Sequence, residues 1–175
     1  MTKKVFLGAA LAAVFVLSMI MVPVFAAGHV NLQKVEVKDT GKQSVEINVV
    51  GPIAQDGSLG AFGFGAIGTK AILAIVTHDG VGPDSEAQAG GTGPVFHTHA
   101  LQLKTVALAT CGSETAVASA SFKEVGDLEV TGDTVEVKKI SGKIGKLTGT
   151  VVSFTITPNG GGELCVNIMK ILFSE

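Results

Sequence analysis

Arginine, tryptophan and tyrosine are absent from this 175-residue chain, and cysteine occurs only twice. All thirteen basic residues are therefore lysines. Nucleic-acid binding rests on clustered cations and bidentate arginine contacts. An arginine-free chain with a formal net charge of −2 at neutral pH does not suit that partner. The same balance leaves no polybasic patch for an anionic lipid surface. No Gly-x-Ser-x-Gly nucleophile elbow is present, and no Asn-x-Ser/Thr acceptor for N-glycosylation.

Glycine, by contrast, is abundant, at 23 residues. Gly63-Phe64-Gly65-Ala66-Ile67-Gly68 formally matches the dinucleotide fingerprint. The following Gly68-Thr69-Lys70 reverses the Gly-Lys-Ser/Thr order by which a P-loop reaches phosphates and magnesium. No apolar strand precedes the motif and no helical pattern follows it, so a nucleotide is not expected. A strand with glycine-lined bends, on which Phe62 and Phe64 pack, is.

The chain opens with Lys3 and Lys4 before an uncharged run from Val5 to Ala27. Val24-Phe25-Ala26 near its end fits the small-residue cleavage pattern of a secretory signal peptide. The expectation is a signal helix over residues 1–26, cut after Ala26. The alternative is a retained anchor, because the run is long enough to span a bilayer. Residues 27–175 would then form a single exported β domain, secreted or on the outer face of the cytoplasmic membrane. At about 150 residues it is large enough to bury a proper core. In an oxidising compartment Cys111 and Cys165 are expected to form a disulfide. Closing that loop stabilises the fold by roughly 4 kcal/mol in the chain-entropy account. A blue-copper site on Cys165 and Met169 is excluded, since no histidine lies between or just beyond them.

Beyond the leader the pattern is β. Residues 44–49 and 152–157 alternate polar and apolar side chains, as half-buried strands do. Residues 130–137 do the same around a Gly132-Asp133 turn or bulge. Residues 70–76 and 164–173 are more continuously apolar, as expected of strands covered on both faces. Ser113–Val125 could be argued as helix, but Ala116, Ala118, Ala120 and Phe122 recur at period two and favour strand. Turn signals recur often enough for an all-β, antiparallel sandwich or barrel of about eight to ten strands.

Three of the four histidines flank one loop. His97 and His99 sit two positions apart, which on a strand places both rings on one face. His78 ends the preceding apolar run. If the two runs pair as a long-looped hairpin, position 78 falls opposite or diagonal to 95 or 97, and one register puts all three imidazoles on the same face. A slip of one residue would send His78 to the other side. Three imidazoles with an open position suit copper or zinc. Asp79, Asp84 and Glu86 in the loop could add a fourth ligand or orient a ring; their spacing matches no calcium-binding EF-hand. Cleavage after Ala26 would also leave Ala27-Gly28-His29 at the terminus. Its amine, two amides and imidazole form a square-planar nitrogen set, which tilts the choice towards copper.

The leading expectation is an exported β-sandwich that binds a transition metal, copper before zinc, through His78, His97 and His99, in extracytoplasmic metal binding or handling. Catalysis is not the leading expectation and no catalytic residue is identified; a catalytic version would be a metal-dependent hydrolase or a copper redox enzyme. The rival is a non-catalytic cell-surface or filament-forming domain that self-associates through sheet edges, with residues 27–38 adding as a strand to a neighbour.

Overall fold

The computed structural model describes residues 30–39, 41–56, 58–78 and 96–174. The leader and its cleavage site lie outside these segments. Among the described residues no helix is long and apolar enough to cross a membrane.

Among the described residues, ten strands make two antiparallel sheets. The first has four strands in the order β1-β2-β8-β7, with β1 at Leu32–Asp39, β2 at Gln43–Val49, β7 at Asp127–Thr131 and β8 at Thr134–Lys138. Alternation is clean in β2 and β8. Val45, Ile47 and Val49 of β2 and Val135 and Val137 of β8 are fully buried. The polar residues between them, such as Glu46 and Glu136, pair on the opposite face. Gly132-Asp133 forms the expected turn between β7 and β8, with Gly132 in the left-handed region at φ 60°.

The second sheet closes into a six-stranded barrel in the order β10-β6-β5-β4-β3-β9. These strands are β3 (Phe62–Gly68), β4 (Ile72–Thr77), β5 (His97–Thr105), β6 (Thr115–Ala120), β9 (Leu147–Pro158) and β10 (Leu164–Phe173). The four-stranded sheet packs on the outside of the barrel, so the strands beneath it bury both faces. This explains the continuous apolar run of β4, in which residues 73–77 are all buried. Phe62, Phe64, Leu73 and Ile75 fill the core between the sheets, with Phe62 and Phe64 meeting edge to face at 5.1 Å. Ala74, Val76, Leu101, Val152, Phe154, Ile156 and Val166 form a second cluster on the opposite face of the barrel strands, which is the lumen.

Several finer expectations change. Gly63 and Gly65 lie within a continuous strand rather than at bends. A Cβ on Gly63 would come within 2.5 Å of Val76 Cγ1 and 3.1 Å of the Phe154 ring, so these glycines make room for neighbouring side chains. β10 is covered only in its first half, and Ile168, Ile171 and Phe173 are exposed. Ser113–Val125 does contain strand β6, yet Ala118 and Phe122 are exposed. A short helix not anticipated from the sequence, α1 at Leu108–Cys111, ends in Gly112 at φ 68°. It carries Cys111 to Cys165, and the two form the expected disulfide. That bond lies beside the point where β10 meets β6, at Cys165↔Ala116, so it clamps the barrel where the last pair of strands closes it.

Candidate metal centre

The site grows out of the pairing of β4 with β5. Val76 lies opposite His97 and Ala74 opposite His99. Paired residues share a face, so His97 and His99 follow Leu101 along the lumen, while Phe96 and Thr98 point the other way. His78 follows Val76 at period two and joins the same face. The register is the one that unites the three rings.

All three are buried, with 2–4% of their surface exposed. Their ligand nitrogens, one per ring, lie within 4.8 Å of one another. His78 Nε2 and His97 Nε2 are 2.9 Å apart. The His97 ring stands nearly perpendicular to both others, at 80° to His78 and 86° to His99. At bond lengths of about 2.05 Å, two ligands of one ion are about 4.1 Å apart when trans and about 3.3 Å apart at the tetrahedral angle, so the widest pair must close by up to roughly 0.7 Å or 1.5 Å respectively.

The surroundings fix the His99 ring and its strand. His99 Nδ1 donates to the backbone carbonyl of Ser121 at 2.5 Å. This sets the tautomer and makes Nε2 the electron-pair donor, a common way of orienting a metal-binding imidazole. The Ser121 hydroxyl accepts from Ala100 N, next along the strand, and donates to the carbonyl of Lys123. On the other face of β5, Thr98 Oγ1 accepts from Val125 N at 3.0 Å. The His-x-His strand is therefore anchored from both sides.

Chemically, three neutral imidazoles present three lone pairs in a confined, largely apolar space. A divalent cation uses the lone pairs directly, and this donor set suits the later first-row metals. The group could therefore hold a metal ion.

Of the other residues singled out from the sequence, Asp79, Asp84, Glu86, Ala27, Gly28 and His29 lie outside the described residues. Ser121 and Thr98 were not anticipated. Ser121 acts on His99 through its backbone carbonyl, a group every residue has, so residue type carries no signal for it. No known family, no curated protein and no solved structure matches the chain.

Proposed function

We propose that this is an exported β-barrel protein that binds one transition-metal ion through His78, His97 and His99, copper in preference to zinc, and serves in metal binding or handling outside the cytoplasm. The observation that carries the reading is the convergence of three buried imidazoles on one end of the lumen. Copper is favoured by Ala27-Gly28-His29, a copper-type nitrogen set wherever cleavage follows Ala26. Export is supported by the leader pattern and by the disulfide. Asp79, Asp84 and Glu86 are candidates for a further ligand from the loop.

Elemental analysis of the protein purified from its own compartment tests this. About one equivalent of copper or zinc is expected, absent from a folded His97→Ala/His99→Ala variant. Added metal should raise the melting temperature of the wild-type chain only; at a hundredfold excess over Kd the stabilisation is about 2.7 kcal/mol. Acidification should release the ion, since imidazolium has no lone pair to donate. Native protein without metal that also ignores added copper and zinc would sink the proposal. The rival, a surface or filament-forming domain, draws on the exposed Ile168, Ile171 and Phe173 of β10. β1 is paired with β2 of its own chain from Leu32 to Asp39 and stands at the edge of its sheet, where a neighbour's strand could add. Concentration-dependent assembly lost on trimming residues 27–38 would support it.

A further inference from the structure

The histidines do not close the lumen. A cleft of about 530 Å³ adjoins them, within the size range of small-molecule sites. His78 and His99 line it and His97 does not, so an ion held by the three rings would turn its open side towards the cleft. Val76, Leu101, Val117, Ile156 and Leu164 supply apolar walls. Lys104 and Glu163 also line it and pair at 2.7 Å with their side chains 44% and 33% exposed, which marks that end as the mouth. His99 and Lys104 are five positions apart on β5, roughly 16 Å of strand. The cleft thus runs from a buried nitrogen-rich end, past apolar walls, to a charged opening between β6 and the Gly162–Leu164 segment.

This gradient selects a class of ligand. A wholly polar molecule would lose its hydration along the walls without replacement hydrogen bonds. A wholly apolar one would leave the inner end without a complementary group. We propose that the cleft binds a small molecule with an apolar body and a single nitrogen- or oxygen-donor head, the head completing the coordination of the ion held by His78, His97 and His99. The proposal rests on the metal reading and adds the chemistry of the second ligand to it.

The test compares imidazole with 4-phenylimidazole on the copper-loaded full chain. Copper content is measured separately, and binding is followed by the copper electron paramagnetic resonance spectrum. The two probes share a head and differ by a ring for the walls to bury. After correction for their relative affinity for aqueous copper(II), 4-phenylimidazole should bind roughly thirtyfold more tightly, as expected for burying one aromatic ring. Ala118 is exposed and lines the cleft. An Ala118→Trp variant should fill the cleft, keep its copper and lose most of that preference. Equal affinities with normal copper loading would overturn the cleft proposal and leave the metal reading standing. Preference unchanged in folded A118W would also overturn it, because the phenyl ring would then lie elsewhere. Failure of the folded protein to take up copper or zinc would overturn both.

Discussion

The same barrel strands line two interiors that are built differently. On β3, Phe62 and Phe64 project into the core between the sheets, while Gly63 and Gly65 project into the lumen. On β4, Leu73 and Ile75 contrast with Ala74 and Val76, and at the start of β5, Thr98 and the preceding Phe96 contrast with His97 and His99. An eight-stranded barrel is only just wide enough for its side chains to fill, so six strands leave a narrower lumen. Removing side chains from β3 lets the Phe154 ring enter. The inter-sheet core is lined by large apolar side chains such as Phe62, Phe64, Leu73 and Ile75. The lumen gives up part of that packing and keeps a polar end and a cleft.

Truncating the same side chain in each interior should break or confirm this contrast, and it has the largest expected effect. Leu73 is fully buried between the sheets, and Leu101, 4% exposed, lines the cleft. Leucine-to-alanine losses span about 2.7–5.0 kcal/mol and rise with the cavity left behind. Leu73→Ala should fall near the top, about 4–5 kcal/mol. Leu101→Ala should fall near the bottom, about 3 kcal/mol, because it enlarges a space that already exists. Urea unfolding with unchanged m-values measures both. Equal losses would mean that the lumen is packed as tightly as the inter-sheet core.

The reverse change, adding volume, comes next. Gly63→Ala places a methyl 2.5 Å from Val76 Cγ1 and 2.7 Å from the carbonyl oxygen of Ile75. The side chain could rotate, but the backbone oxygen cannot, so a loss of about 1–3 kcal/mol is expected. Gly142→Ala, where nothing lies within 4 Å of the new methyl, is the control and should be close to neutral or slightly stabilising. A neutral Gly63→Ala would show that the β3 side of the lumen can relax, and would remove the reason given for glycine there.

How much of this could be read in advance divides along the same line. Alternation within one strand is a local signal, and it marked β2, β9 and the β7–β8 hairpin as strands, although β9 is not half-buried: it buries Ser153 along with its apolar neighbours. The His-x-His pair and its link to His78 were also local, needing only period two and one hairpin register. What escaped depends on strands distant in sequence. That the histidines face a lumen follows from β9 and β10 closing the barrel, and β3 meets β9 through pairs such as Phe64↔Ser153. The exposed half of β10 reads as apolar as its buried half, so sequence alone could not separate them. The turn of helix at Leu108–Cys111 buries none of its residues, and so leaves no hydrophobic period to detect. The cleft is a space, and no residue type encodes it.

The smallest effect is expected at the mouth of the lumen. Lys104 and Glu163 join β5 to the start of β10 across the opening, with both side chains substantially in water. Such a pair gains little from Coulomb attraction in high dielectric and loses side-chain entropy, so Glu163→Gln should cost less than about 1 kcal/mol. The loss should shrink further at high salt, because exposed charges are screened. A salt titration of unfolding free energy on wild type and E163Q reads this directly. If the variant lost several kcal/mol, independently of salt, the pair would be desolvated and this end of the barrel closed. The lumen would then be a second sealed core, and the contrast between the two interiors would fail where the cleft meets solvent.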